Sequence, residues 1–200
     1  VEVEEGYLTA VAMPATLQLK AGIFKQAVVR INSTHAHALP FVDLPNSYVN
    51  YFGDGGLNDE SLSLNWLVPN KKFYQELIFQ ATSGRSESPS FMQSQGNRFI
   101  YLAHLKNFFT LSDNATFELG LTGISGPNDS SLVTNIAAGD FNFKWKPVKV
   151  NTYKSLTWQS EIYYGNAAYT SSLKKRSFGL YSFIDYQVSK RWFLTGRYDY

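Results

Sequence analysis

The sequence predicts an all-β protein, an antiparallel up-and-down transmembrane β-barrel with about ten strands in this chain. Three observations carry that expectation. Apolar residues recur at every second position and not at helical spacing. The connections between the apolar stretches alternate short and long. Aromatic residues make up 16% of the 200 residues and charged residues only 17%.

Strands are expected at 2–13, 16–26, 58–68, 72–83, 97–109, 114–125, 137–147, 154–165, 177–187 and 191–200. In 58–68, Leu62, Leu64, Trp66 and Val68 alternate with Ser61, Ser63 and Asn65. In 114–125, Phe117, Leu119 and Leu121 alternate with Thr116, Glu118, Gly120 and Thr122. Phe141, Phe143 and Trp145 alternate with Asp140, Asn142, Lys144 and Lys146 in 137–147. Leu156, Trp158, Ile162 and Tyr164 oppose Thr157, Gln159 and Glu161, and Trp192, Leu194, Gly196, Tyr198 and Tyr200 oppose Phe193, Thr195, Arg197 and Asp199.

Short connections fall near Met13–Ala15, Val68–Lys71, Leu111–Asp113, Pro147–Tyr153 and Val188–Lys190; long ones, rich in Ser, Gly, Asn and Pro, run about 27–57, 84–96, 126–136 and 166–176. Tight turns at one rim and long loops at the other are the asymmetry of a membrane-spanning barrel. Tyr7, Phe24, Trp66, Phe73, Tyr74, Phe108, Phe109, Tyr153, Tyr163, Tyr164 and Trp192 fall near strand ends, where aromatic girdles mark the two membrane interfaces.

If the apolar set faces lipid, the alternate set lines a lumen. Its candidates are Lys20, Glu76, Arg98, Lys106, Glu118, Asp140, Lys144, Glu161, Arg197 and Asp199, with Gln18, Gln80, His104, Lys146, Gln159 and Asp185. Charges of both signs on one face suit a wet or plugged lumen, because unpaired charge is costly in a dry core. The segment 27–57 is long, apolar and aromatic, so it is expected to fold inward and narrow the pore. It holds His35 and His37, with Asp43 nearby. A His-x-His pair with a carboxylate could share Zn²⁺ or Cu²⁺; hydrogen bonding within a folded loop is the plainer reading.

The composition excludes several classes. With no cysteine there is neither a disulfide scaffold nor a Cys-based metal site. The aromatic density argues against disorder, and a net charge of +2 against nucleic-acid binding. No window approaches a transmembrane helix. The opening Val-Glu-Val-Glu-Glu does not read as a signal peptide. No nucleophile elbow, phosphate loop, dinucleotide fingerprint or His-Glu-x-x-His occurs, so no enzyme is expected. Asn32-Ser33-Thr34, Asn114-Ala115-Thr116 and Asn128-Asp129-Ser130 match the glycosylation sequon, which carries no meaning in a bacterial outer-membrane protein.

Residues 2–68 resemble the porin-like outer-membrane β-barrels of Gram-negative bacteria, near the phosphate-selective porin superfamily. The resemblance rests on Val3-Glu4-Glu5-Gly6-Tyr7-Leu8, Leu19-Lys20-Ala21-Gly22-Ile23-Phe24-Lys25, Arg30-Ile31-Asn32, His35-Ala36-His37, Leu39-Pro40-Phe41-Val42-Asp43-Leu44-Pro45 and Gly56-Leu57-Asn58-Asp59. The rest matches only as generic barrel strands. The resemblance implies an outer-membrane location, lipid and small solutes or ions as partners, compatibility with a homo-oligomer, and a longer parent of which this chain is an internal piece. Against that last point, the final strand alternates up to a terminal aromatic, and ten strands could close alone. Similar sequences of zinc-regulated or TonB-linked type make the His-x-His segment a candidate metal receptor. Phosphate-selective relatives line the pore with basic residues, whereas the candidates here are mixed in sign. The leading expectation is therefore a passive channel narrowed by 27–57. A divalent-metal receptor through His35 and His37 is the first alternative, and a soluble β-sandwich or lipocalin-like carrier the second.

Overall fold

The computed structural model describes residues 4–86, 88–92, 98–148, 153–170 and 172–200. Ten strands follow in chain order: β1 (Gly6–Ala10), β2 (Leu17–Lys25), β3 (Asn58–Leu67), β4 (Tyr74–Thr82), β5 (Ile100–Ser112), β6 (Ala115–Pro127), β7 (Val133–Trp145), β8 (Ser155–Ala168), β9 (Lys174–Ser189) and β10 (Trp192–Asp199). Each pairs antiparallel with its neighbour in sequence, giving one up-and-down sheet ordered β1 to β10. Among the described residues β1 and β10 each pair on one side only, so the sheet is open. All ten expected strands are present with shifted ends. The expected 2–13 contracts to Gly6–Ala10, with residues 2 and 3 outside the described range; Pro14 then starts a short 3-10 turn, Pro14–Thr16, that leads into β2.

Two expected long connections are short. Instead of 126–136 and 166–176, the links are 128–132 and 169–173. Their Ser- and Asn-rich flanks read as loop, yet the ladder continues through them to Pro127↔Val133 and Ala168↔Lys174. Asn128 closes the first link: its Oδ1 accepts from the Ser130 and Leu132 amides, and its Nδ2 donates to the Ala168 carbonyl at 2.7 Å. The contrast between short and long connections is thus carried by 26–57 and 83–99.

Because directly opposed residues in antiparallel strands share a face, the register sorts every side chain. One face carries Lys20, Ser63, Gln80, Leu102, Ile124, Ile136, Gly165 and Ser177 in one row, with Glu76, Lys106, Gly120, Asp140, Glu161, Tyr181 and Asp199 in another. The opposite face carries Leu62, Leu64, Trp66, Phe79, Leu121, Phe141, Ile162, Ile184 and Leu194. The apolar face is the exposed one: Leu121 is 52%, Ile162 49% and Leu194 70% exposed.

The charged face is covered by the segment between β2 and β3. It contains one short helix, α1 (Asn46–Phe52). Val28, Val29, Ile31, Tyr48, Tyr51, Phe52 and Leu57 of this segment pack on Ile100, Leu102, Ile124, Ile136, Tyr163, Tyr181 and Phe183 of the sheet. The covered face is therefore zoned, apolar around Leu102, Ile124 and Ile136 and charged around Lys106, Glu118 and Asp140. Sequence reading had assigned Phe24 and Tyr163 to an aromatic girdle; both are 1% exposed and belong to the covered side. Rings on the exposed face instead form a ladder across the strands, Phe73–Phe109, Phe109–Phe117, Phe117–Phe141 and Phe141–Trp158, with centroids 4.7, 5.7, 5.0 and 4.9 Å apart.

Gly22 in β2 has φ +139, and a Cβ there would meet the Gly6 carbonyl and lie 2.6 Å from the Tyr7 Cα. Only glycine lets β1 approach this closely. Gly22→Ala is expected to cost about 2–3 kcal/mol, seen as a lower denaturant midpoint with early loss of β1 protection in hydrogen exchange.

Candidate functional site

The segment 26–57 is tied at its neck by one side chain. Asn32, 2% exposed, donates through Nδ2 to the Gln26 and Leu57 carbonyls (2.7 and 3.0 Å). Its Oδ1 accepts from the Tyr48 hydroxyl (2.6 Å) and the Leu57 amide (2.9 Å). All four hydrogen-bonding positions of the amide are filled. Asn32 is thus a buried clasp, although its sequence matched a sequon. Gly56, at φ +67, leaves the space that Tyr48 Oη and Asn32 Oδ1 occupy. Burial lifts the Tyr48 phenol above its ordinary range, with the Glu161 carboxylate adding to the effect, so the hydroxyl remains a donor.

From this neck the chain crosses the sheet. The Ala27 amide donates to Gln80 Oε1 (2.9 Å), the Thr122 hydroxyl donates to the Val28 carbonyl, and the Ile31 amide donates to Glu161 Oε1 (2.9 Å). His104 Nδ1 lies 2.8 Å from Thr122 Oγ1. Since the one Thr122 proton goes to Val28, His104 is the donor there and carries its proton on Nδ1. Glu161 is fully buried and also accepts from the Tyr163 hydroxyl.

Beneath residues 27–34 lies a cavity of about 240 Å³ lined by Arg30, Glu76, His104, Lys106, Glu118 and Asp140, with Ser33 and Thr34. Glu118 bridges two cations, Arg30 at 2.9 Å and Lys106 at 3.8 Å. Its side chain is only 12% exposed, so the pair is screened less than a surface pair, and losing Glu118 would strand two positive groups. Asp140 is 4% exposed, and its Oδ2 has no hydrogen-bond partner among the described residues. That oxygen lies where a Cβ on Gly120 would be, so the glycine makes room for it. Asp140 stands directly across the ladder from Glu161, a like-charged juxtaposition that costs free energy unless a cation or proton offsets it.

Of the residues chosen from sequence, Glu76, His104, Lys106, Glu118 and Asp140 share this cleft, and Glu161 stands across the ladder from Asp140. Lys144 stands on the same face between Thr116 and Thr157. Arg197 and Asp199 form a second group at β10: Arg197 pairs with Asp43 at 2.8 Å and with Asp199 at 3.2 Å, and stacks on Phe41 at 5.1 Å. Two candidates stand apart. Lys20 is held over the Tyr7 ring at 3.5 Å, a cation–π contact. Arg98 lies outside the strands and donates to the Ser131 carbonyl at 2.8 Å.

The metal candidates separate. The His35 and His37 rings stack at 5.7 Å, but Asp43 is committed to Arg197. No group of three His, Asp or Glu that could hold a metal ion occurs among the described residues. Hydrogen bonding from Arg197 holds the Asp43 carboxyl below its ordinary value. A depressed carboxyl stabilises only while ionised, so this latch is present above the ordinary Asp range and is lost as pH falls through the lowered value. Solvent around Asp43 weakens it.

Sequence reading missed Arg30, Asn32 and Tyr181. Arg30 and Asn32 sit in a segment whose inward path was expected but whose contacts carry no local signal. Tyr181 falls in the expected strand 177–187, on a face that only the register reveals. A larger cavity, about 760 Å³, lies away from this chemistry on the apolar face, where Ala103, Gly123 and Ala137 interrupt the large residues.

No protein-family model matches the chain, and no solved structure matches it. It is similar to an uncharacterized protein of Aquifex aeolicus (strain VF5), 26% identical over 219 residues, covering 95% of this chain and 46% of that protein. The chain thus spans about half the length of the curated relative it matches.

Asn32→Ala is expected to lower the unfolding free energy by about 3 kcal/mol, since the buried Tyr48 hydroxyl and Leu57 amide lose their partner and the Gln26 and Leu57 carbonyls keep only their backbone donors. Asp43→Ala, which removes only an exposed ion pair, is expected to leave it unchanged. Denaturant unfolding of both variants in one detergent checks the contrast.

Proposed function

We propose that this chain forms wall and constriction of an outer-membrane β-barrel channel for small solutes or ions in a Gram-negative bacterium. The observation that carries the reading is the partition of the sheet: an exposed face of large apolar and aromatic residues, and a charged face covered by the chain's own segment. A soluble carrier would turn its apolar strand faces inward; here the charged face is the inner one. Soluble monomers rarely expose an apolar patch beyond a few hundred Å², whereas lipid tails require one.

Dimensions agree. β5 to β9 are 13 to 16 residues long. On β5 the exposed face runs from Tyr101 to Phe109, about 26 Å along the strand at ~3.3 Å per residue. A tilt of ~40° projects that to ~20 Å, near the ~25 Å apolar band of such barrels. Segment 26–57 touches β3, β4, β6, β8, β9 and β10, which a wall curved around it allows. Closure needs pairing at the free edges of β1 and β10, from further strands or from each other.

Selection in this reading is electrostatic and steric, with no covalent chemistry. Solutes pass Arg30, Lys106, Glu118 and Asp140, where neighbouring charges of both signs disfavour strong selectivity for either ion sign. The folded chain in a planar bilayer is expected to give stable conductance steps, and deletion of 32–50 to raise the step size severalfold. A deletion variant that folds by heat-modifiable gel mobility yet conducts as the parent does contradicts the constriction role; a folded parent that never conducts contradicts the channel.

A further inference from the structure

A second cavity, of about 430 Å³, lies where α1 meets the ends of β7, β8 and β9. Its volume suits a small organic ligand. Its chemistry differs from that of the charged cleft. Helix α1 contributes Ser47, Asn50 and Tyr51, the 88–91 stretch contributes Ser90, and the link after β8 contributes Tyr169. One cation and one anion, Lys175 and Asp129, balance each other in the lining.

Two of the strands that line the cavity carry glycine under the helix. A Cβ at Gly165 would stand 2.8 Å from the Tyr51 ring, and one at Gly179 3.1 Å from the Ser47 Cβ. The helix therefore seats directly on the backbone, and the Tyr51 hydroxyl donates to Ser177 Oγ at 2.8 Å. Ser47 is 3% exposed, and its Oγ has no hydrogen-bond partner among the described residues. That hydroxyl is shut off by packing, so a ligand meets instead the exposed Asn50 and the half-buried Ser90.

The geometry points to this cavity as a binding site for a neutral polyhydroxylated solute of mono- or disaccharide size. Hydroxyl and amide side chains supply alternating donors and acceptors. The tyrosines Tyr51 and Tyr169 supply amphipathic surfaces, apolar on the ring and polar at the tip, which match a sugar's mixture of C–H and O–H surfaces. Balanced charge gives no advantage to an anion such as phosphate. The inference deepens the channel reading, resting on it for the route by which solute arrives, and names the class of solute held beside α1.

The test is calorimetric titration of the full chain, folded in detergent, with glucose, maltose and inorganic phosphate as probes. Saturable binding of glucose or maltose is expected, with little response to phosphate. Tyr169→Ala and Asn50→Ala, both at exposed positions, are expected to weaken it by about five- to tenfold each while keeping the parent's heat-modifiable gel mobility. No saturable sugar binding by folded protein overturns the proposal, as does sugar binding unchanged in both variants, or phosphate bound more tightly than either sugar. Conductance recorded on the same preparation separates the two readings: conduction without sugar binding refutes the cavity assignment alone, and sugar binding without conduction refutes the channel alone.

Discussion

Period-two geometry held in register over ten strands is the constraint on which the molecule rests. In an antiparallel ladder a shift of one residue would send each side chain to the opposite face. Here one row runs continuously from Glu76↔Lys106 through Lys106↔Gly120, Gly120↔Asp140, Asp140↔Glu161 and Glu161↔Tyr181 to Tyr181↔Asp199. From β3 to β10 most charges thereby fall on one side and most large apolar residues on the other, with Glu60 and Arg176 on the apolar face and Ile124 and Ile136 on the charged one. Neither face suits water and a dry core together; each requires its own cover.

The chain supplies one cover itself. Segment 26–57 brings apolar residues to Leu102, Ile124 and Tyr163, and backbone amides to the acceptors that the same strands present. Glu161 shows the balance. Burying a carboxylate is expensive, yet Glu161 accepts from both the Ile31 amide and the Tyr163 hydroxyl. The clasp at Asn32 sets the segment's path by closing its two ends, Gln26 and Leu57, onto one amide. The surface latch between Asp43 and Arg197 contributes far less, because water screens it. The segment also brings its own Arg30 to Glu118, which Lys106 approaches from the other side, so these three charges line the cleft beneath it.

The strands were legible in the sequence because alternation is local: Phe117, Leu119 and Leu121 against Glu118, Gly120 and Thr122 identify a strand and its faces without knowledge of its neighbours. That the long segment packs on the sheet was legible too, since a stretch containing Phe41, Tyr48, Tyr51 and Phe52 needs something to pack against. Pairing specificity was not. That Arg30 meets Glu118, or that Asn32 ties Gln26 to Leu57, depends on contacts between positions that no periodicity relates. Short apolar insertions into the polar face, such as Ile124 and Ile136, read as noise until the segment is seen to cover them. Asn-rich flanks misled in the other direction, since Asn128 ends a hairpin and does not open a loop. Proximity of His35 and His37 in sequence did place their rings together, but the third ligand turned to Arg197.

The central claim is that the exposed apolar face meets lipid while the charged face lines a lumen. The chain has no cysteine, so single thiols report cleanly. Leu121→Cys and Ile162→Cys sample one face, and Thr116→Cys and Thr157→Cys the other. In protein reconstituted into lipid vesicles, each thiol is challenged with a charged, membrane-impermeant maleimide and with a lipid-soluble quencher after labelling. The account predicts that positions 116 and 157 react with the charged reagent, whereas positions 121 and 162 resist it and are quenched from the lipid. Charged reagent reaching positions 121 and 162 as readily as 116 and 157 would contradict it.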